Sequence, residues 1–181
     1  MSWRSVIVYW VLAVVIGAHV ALAVSQRTSD EAVPDRPVEP IITVASSTID
    51  SLSAERDSRA VVLERSGGRW LVSDPIGLTV SNDLVDALID TLSTIPPVEI
   101  LTEKPDDLAQ YGLAPPEAVL RLASAGEPVA TIELGRRNPT RTAVYARMAR
   151  EDRVYLIGLN AQYYLELIYE QLASQSDAIR D

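Results

Sequence analysis

The chain contains no cysteine and no phenylalanine, and it has a single lysine and a single histidine. Without cysteine, neither a disulfide framework nor a thiolate metal site can form. Because the only histidine is His19, the rest of the chain lacks the commonest general base. Ser66-Gly67-Gly68 is too short to be a phosphate-binding loop. We therefore expect a protein that is not an enzyme and holds no cofactor or metal. A carboxylate-dependent hydrolase is the less favoured alternative. It is retained because the chain has 25 acidic residues, which could supply a catalytic pair.

Positive charge is scarce over most of the chain. The first 27 residues hold Arg4 and Arg27 and no acid, which leaves 14 basic against 25 acidic residues, a net charge of −11, in the remainder. A surface that binds nucleic acid needs clustered positive charge to meet the phosphates. The charge balance therefore predicts no nucleic acid partner.

Residues 6–24 form an uncharged, strongly apolar run near the N terminus. As a helix, at about 1.5 Å per residue, this run would cover roughly 28 Å, enough to cross the hydrocarbon core of a bilayer. Trp3, Tyr9 and Trp10 lie toward its first end, where aromatic rings favour the membrane interface. We interpret the run as an uncleaved transmembrane helix. The alternative is a cleaved signal peptide with Ala21-Leu22-Ala23 as the processing site.

The charges around this run predict its orientation. Arg4 precedes the run, whereas Arg27 is followed closely by Asp30 and Glu31. By the positive-inside rule, residues 1–5 lie in the cytoplasm and the bulk of the chain lies outside it. We therefore expect a single-pass protein of a bacterial inner membrane with a periplasmic C-terminal domain.

Two features of the apolar run point to partners inside the bilayer. Ala13, Gly17 and Ala21 are four residues apart, and such a stripe of small residues allows another helix to approach closely. The alternative is that small residues are simply common in membrane spans. His19 faces away from the stripe and could ligate a metal or the magnesium of a tetrapyrrole pigment, or simply reach lipid headgroups.

A polar linker separates the span from the domain. Residues 25–40 carry Pro34, Pro37 and Pro40, which restrict the backbone and favour an extended, semi-rigid segment. The remaining residues, 41–181, are enough for one small domain.

Strand and turn patterns begin the domain. A strand-like run occupies residues 41–44, and a hairpin is predicted from residues 60–64 to 70–72 because Gly67-Gly68 suits a two-residue turn. The segment Asp74-Pro75-Ile76-Gly77 then ends the pairing.

An amphipathic helix follows and ends at Pro96-Pro97. Its apolar face consists of five residues: Leu84, Val85, Leu88, Ile89 and Leu92. Ser81 or Asn82 can cap its start. The other side carries Asp83, Asp86 and Asp90, which we interpret as a solvated acidic face and not as a metal site.

The segment 104–116 is interpreted as a corner between a helix and a strand. Pro105 suits a first helical position, and Gly112 suits a left-handed helix end. Pro115-Pro116 then forces an extended backbone, with Leu113 packing inward and Tyr111 beside it. The corner offers no nucleophile, base or metal ligand, so we expect it to be structural.

The sequence pattern of the second half of the domain predicts an antiparallel meander and a final helix. Strands are expected at residues 118–123, 129–134, 143–148 and 154–157, followed by a helix that begins at Asn160. Its inward residues are predicted to be Ala161, Tyr164, Leu165, Ile168 and Leu172. The fold class is therefore α+β: one N-terminal transmembrane helix, then a small domain of mainly antiparallel strands with two or three helices on one face.

Five ordered motifs resemble the bacterial DUF4340 family. They are Gly68-Arg69-Trp70-Leu71-Val72, Asp74-Pro75-Ile76-Gly77, Tyr111-Gly112-Leu113-Ala114-Pro115-Pro116, Ile132-Glu133-Leu134-Gly135 and Tyr145-Ala146-Arg147. The resemblance covers about residues 45–160 and implies a domain behind one membrane helix. Some members are encoded beside genes of gliding-type ABC transporters. The biochemical function of the family is not established, so the resemblance assigns no catalytic residue.

An arginine-rich region is the main candidate site in the domain. Six arginines fall within eighteen residues: Arg136, Arg137, Arg141, Arg147, Arg150 and Arg153. If the hairpins bring them to one edge, they form a surface for carboxylates or phosphates of a partner. Tyr145 and Tyr155 strengthen this prediction, because Tyr and Arg are favoured at interfaces. The alternative is that these are ordinary solvated side chains.

These features favour a non-enzymatic accessory or scaffold subunit of a membrane complex, such as a transporter or a respiratory or photosynthetic complex. Its expected partners are the lipid bilayer and other membrane subunits. The second hypothesis is a free-standing periplasmic binding module for an acidic ligand or polymer.

Overall fold

A computed structural model of the chain describes residues 39–102 and 105–180. In chain order the regular elements are β1 (Ser51–Arg56), β2 (Arg59–Ser66), β3 (Arg69–Asp74), α1 (Asn82–Thr94), β4 (Glu99–Thr102), β5 (Ala118–Ser124), β6 (Glu127–Arg137), β7 (Ala143–Met148), β8 (Val154–Gly158) and α2 (Asn160–Arg180). Two short 3-10 turns, Ser46–Thr48 and Ala109–Tyr111, lie between them. The predicted class, an α+β domain of mainly antiparallel strands, is confirmed, and the described residues contain two α-helices.

The eight strands form one sheet in the order β3-β2-β1-β5-β6-β7-β8-β4. Every pair of neighbours is antiparallel. After β3 the chain forms α1 and crosses to the far side of the sheet, where β4 pairs with β8. It then returns to the middle, where β5 pairs with β1. As a result, β3 and β4 are the two edge strands.

Two tight hairpins follow from residues that adopt positive φ. The β2–β3 turn has Gly67 at φ 58° and Gly68 at φ 78°, and the β5–β6 turn has Ala125 at φ 52° and Gly126 at φ 82°. A two-residue turn with positive φ at both positions matches the right-handed twist of the strands it joins. The hairpins predicted at these two places are confirmed.

Both helices pack on one face of the sheet. Their buried residues are Val85, Leu88, Ile89 and Leu92 from α1, and Ala161, Leu165, Ile168, Tyr169 and Leu172 from α2. They share one apolar core with alternate residues of the strands, such as Leu120 and Leu122 of β5. The predicted inward faces are confirmed, although Leu84 and Tyr164 are only partly buried.

Two local predictions are wrong. Residues 41–44 form no strand, because the Ile42 N–H donates to the Leu92 carbonyl at the end of α1 (3.2 Å) and the Ile42 side chain enters the core. In the predicted helix before Gly112, the helical residues among those described are limited to the 3-10 turn Ala109–Tyr111. The Asp107 carboxylate accepts the Ala109 N–H (2.8 Å) ahead of this turn.

The strands β1 and β4 were not predicted. In β1 only Leu52 and Ala54 face the core, so its apolar pattern is short. Among the described residues, no helix is both long and apolar enough to cross a bilayer. The predicted transmembrane helix, residues 6–24, and residues 1–5 lie outside the described residues, as does the linker up to residue 38.

Candidate functional site

The Tyr111-Gly112-Leu113 corner packs directly against β6. Gly112 has φ 69°, and a Cβ atom there would lie 2.7 Å from the Arg136 backbone nitrogen. Gly135 of β6 lies opposite, and a Cβ there would overlap the Tyr111 carbonyl oxygen. Both glycines are therefore required by close backbone contact, and this contact joins two of the family-like motifs.

The same region also contains the motif Tyr145-Ala146-Arg147, on β7. The rings of Tyr145 and Tyr111 meet edge to face, with centroids 5.0 Å apart. Arg147 makes two hydrogen bonds to one Glu133 carboxylate oxygen (2.9 and 2.5 Å), and both side chains are largely shielded from solvent. Glu133 and Gly135 alternate with the core residues of β6, so this cluster lies on the face of the sheet away from the helices.

A second polar cluster joins β2, β3 and α1 around Trp70. The indole N–H donates to Asp86 (2.9 Å), which is also paired with Arg65. The Arg65 guanidinium lies over the indole ring, 4.7 Å from its centroid. The Trp70 backbone N–H donates to the Asn82 side chain (2.8 Å). Asp86 is therefore part of a structural contact, which the sequence did not predict.

Helix α1 begins where expected, but its side-chain capping and one residue of its acidic face, Asp86, differ from the prediction. Ser81 precedes the helix and makes no capping hydrogen bond with its side chain, while Asn82 serves Trp70. Asp83 and Asp90 are exposed, as expected for a solvated face. No group of three or more acidic or histidine side chains in the described part of the chain is arranged to hold a metal ion.

The six arginines do not share one edge. Arg137 pairs with Val144 at the start of β7, whereas Arg147 pairs with Val154 near its end. Because β7 has six residues, roughly 15–20 Å separates its two ends. Consequently the group Arg136, Arg137 and Arg141 lies at one end of the sheet, and Arg150 and Arg153 lie in the turn at the other.

Several of these arginines are engaged within the domain. Arg137 donates to Gln162 (2.8 Å) and pairs with Glu166 on α2 (3.3 Å). Arg136 donates to the Ala109 carbonyl (2.7 Å) and so holds the corner from outside. These contacts give both side chains a structural use that the charge pattern did not predict.

Arg141 and Arg150 are also exposed, but they differ from Arg136 and Arg137 in their contacts. Neither side chain has a hydrogen bond or ion pair with another described residue. The Arg153 side chain is hydrogen-bonded to Tyr155. The Tyr155 hydroxyl donates to Glu151 (2.9 Å). Burial and the Glu151 hydrogen bond raise the pKa of Tyr155. Tyr155 is thus mostly a core residue and presents little surface to a partner.

A shallow groove of about 260 Å³ lies beside α2, near the β1–β2 turn. Arg56 and Arg59 line it together with Glu166 and Tyr169. Arg56 is paired with Glu166 at 3.7 Å, so acidic groups offset its positive charge.

Tyr169 is a buried residue that lines this groove. Its hydroxyl lies within hydrogen-bond distance of the Ala54 carbonyl (3.0 Å) and the Arg59 carbonyl (3.1 Å). Burial raises the pKa of Tyr169 to about 12. The hydroxyl is therefore a neutral structural donor at physiological pH.

The predicted membrane contacts, Ala13, Gly17, Ala21 and His19, lie outside the described residues. A family model described as DUF4340, a domain of unknown function, matches residues 70–176. No curated protein and no solved structure matches the chain.

Proposed function

The chain belongs to the DUF4340 family, a domain of unknown function, and on this basis we propose that it is a non-enzymatic accessory subunit of a larger bacterial membrane assembly. The assembly is a transporter, or a respiratory or photosynthetic complex. The protein holds a periplasmic domain beside its partners by means of one membrane helix, residues 6–24, and the linker 25–40.

One observation carries the non-enzymatic part of this proposal. The residues of three family-like motifs are used in contacts with one another: Gly112 against β6, Gly135 against Tyr111, Tyr145 against Tyr111, and Arg147 with Glu133. A catalytic site needs polar groups directed at a position where a substrate can lie. Here the motif residues hold a loop against the sheet, which supports a role as a rigid support.

The anchor is supported by the sequence of residues 1–40. A nineteen-residue uncharged run needs a nonpolar environment, and Ala13, Gly17 and Ala21 offer a surface on which another helix can pack closely. In the proposed helix, His19 would be on the side away from this stripe and would contact a pigment, a metal or lipid. The partners of the helix are thus other membrane subunits and lipid.

For the domain, the docking proposal narrows to the two arginines of this group that have no hydrogen bond or ion pair with another described residue. Arg141 and Arg150 extend into solvent at opposite ends of β7 and suit acidic groups on a partner. Arg136, Arg137, Arg147 and Arg153 have contacts inside the domain, so replacing them would disturb the fold as well as any docking. Tyr155 is buried, and the half-buried Tyr145 packs against Tyr111.

The second candidate, a free binding module for an acidic ligand, has one supporting feature. Arg56 and Arg59 face an open groove. However, Asp57, Glu166 and Glu170 line the same groove, so an anion entering it would meet comparable negative charge. The accessory-subunit proposal is therefore the better supported of the two.

Extraction in a mild non-ionic detergent, followed by native size analysis, tests the proposed function. We expect a particle much larger than one 19.8 kDa chain in its micelle. Gly17→Leu should reduce recovery of the helix partner roughly tenfold, equivalent to about 1.4 kcal/mol of lost packing. Ala18→Leu, about 100° round the helix from Gly17, is the matched control. A monomeric particle from the wild-type chain would refute the proposal.

In the same assay, Arg141→Glu and Arg150→Glu examine docking by the domain. Each exposed site should tolerate the change in the isolated protein, because surface substitutions usually alter stability by less than about 0.5 kcal/mol. We expect weaker recovery of partners, and the difference from the wild-type chain should shrink at higher salt, because salt screens exposed charges. Unchanged recovery with both substitutions combined would remove the arginines from the interface.

A further inference from the structure

An exposed apolar strip lies along the β4 edge of the sheet. Ile95, Val98 and Ile100 fall within six residues and keep 47 %, 68 % and 42 % of their surface exposed. Isolated exposed apolar residues are ordinary, whereas several together on one edge indicate a contact surface. We define these three residues as the β4 strip.

The position of the strip follows from where the helix layer ends. Ile100 is paired with Tyr155, whose side chain enters the core beneath the helices, so Ile100 faces the same side of the sheet. Helix α1 ends at Thr94, before it can cover this margin. The strip therefore continues the apolar core outward to the end of the sheet.

Strand β4 also offers backbone hydrogen-bonding groups. It pairs with β8 on one side, and among the described residues no strand pairs with its other side. The outer side of an edge strand presents unpaired N–H and C=O groups that can accept another strand. Pairing of an added strand would be accompanied by burial of side chains from the β4 strip.

The charge around this edge indicates what kind of strand fits. Among the described residues from 95 to 107, the charged ones are Glu99, Asp106 and Asp107, all acidic and exposed. Glu99 is exposed on β4 itself. An added segment that alternates apolar residues with Lys or Arg would match both the strip and Glu99. A second copy of this chain would bring the same negative charge to the edge, which opposes pairing.

We propose that the outer edge of β4, with Ile95, Val98 and Ile100, accepts an extended basic segment of a partner subunit as a ninth strand. This inference rests on the proposed function, because it names the surface through which the domain contacts its assembly. It is separate from docking by Arg141 and Arg150, which would favour acidic groups.

Synthetic peptides test the inference with the full-length chain in non-ionic detergent. The probe is an octapeptide that alternates valine and lysine. Its two controls replace lysine by glutamate or carry N-methyl groups on the valines. Measured by fluorescence anisotropy, the lysine peptide should bind at least tenfold more tightly than either control. Equal binding of the three would overturn the inference, since neither backbone pairing nor charge would then matter.

Three variants place the binding on β4. Val98→Ser and Glu99→Lys should each weaken binding of the lysine peptide several-fold. Leu71→Ser is the matched control, because Leu71 is 54 % exposed on β3, the opposite edge strand. A loss of binding with Leu71→Ser equal to that with Val98→Ser would refute the assignment to β4. If Val98→Ser fails to fold by circular dichroism, Glu99→Lys and the N-methylated peptide still decide the result.

Sedimentation of the same samples distinguishes the alternative occupant. Concentration-dependent dimers that Glu99→Lys strengthens or Val98→Ser abolishes would assign the edge to a second copy and overturn the proposal. Failure of peptide binding, with co-purification of partners intact, would remove strand addition alone and leave the accessory-subunit proposal standing.

Discussion

Gly135→Ala is the substitution that most directly tests how the corner holds the sheet. A Cβ at this position would overlap the Tyr111 carbonyl oxygen and would lie 3.1 Å from the Leu113 side chain. Gly135 has no positive φ, so the added methyl group costs stability only through this overlap. Overpacking of this kind costs about 1–3 kcal/mol, and contact with backbone that cannot rotate away favours the upper end.

The expected loss of about 3 kcal/mol is large beside the total stability of roughly 5–15 kcal/mol typical of a native domain. For a chain of this length it lowers the melting temperature by roughly 6–12 °C. Chemical denaturation followed by far-ultraviolet circular dichroism measures the free energy of unfolding.

Gly158→Ala is the matched control, because nothing lies within 4 Å of a Cβ placed there and the residue has no positive φ. We expect this control to change stability by less than about 0.5 kcal/mol. If Gly135→Ala were as stable as Gly158→Ala, the corner would not be packed against β6 as described, and the structural interpretation of the family-like motifs would be refuted.

Two further substitutions test polar contacts. Tyr169→Phe should cost about 1 kcal/mol at neutral pH through loss of the hydroxyl's hydrogen bonds. The folded-state pKa of Tyr169 is about 12, above the unfolded value near 10, so its contribution is complete below pH 10 and is lost as the pH rises toward 12. Wild-type stability, measured by urea titration, should therefore fall more steeply across that range than Tyr169→Phe stability, and parallel curves would contradict the assignment. Glu133→Gln leaves the shielded Arg147 charge without its carboxylate and should cost about 2 kcal/mol, with part of the loss recovered when Arg147→Met is added. A double variant whose loss equals the sum of the losses of Glu133→Gln and Arg147→Met alone would show that the two residues are not coupled.

Much of the fold could be predicted because its signals are local. Gly67-Gly68 specifies a tight hairpin through its positive φ values, and the apolar spacing of α1 places Val85, Leu88 and Ile89 on one face. Gly112 adopts the left-handed conformation expected of it. In each case the information lies within a few residues of the position it determines.

The errors have a tertiary cause. Residues 41–44 look like a strand because they are apolar, but Ile42 is held by the end of α1 and by the core. Asp86 looks solvated from helix periodicity alone, yet Arg65 and Trp70 reach it from β2 and β3. Contacts between distant segments decided these outcomes, and local patterns do not report them.

The arginine region shows most clearly the difference between what a local pattern predicts and what tertiary contacts decide. The sequence contains six arginines close together, but strand register places them at two ends of β7 and pairs Arg147 with Glu133. Likewise, Ile95, Val98 and Ile100 are unremarkable as a sequence and become a surface because β4 crosses to the end of the sheet.

By itself the sequence determined the antiparallel α+β class, the hairpin turns and the inward faces of both helices, because backbone preference and apolar periodicity act over short distances. It also identified the family. Only the tertiary structure decided the strand order, the contact between Gly135 and Tyr111, and which charges are paired or exposed. These depend on which segments meet across the sheet, and residues far apart in the chain settle that together.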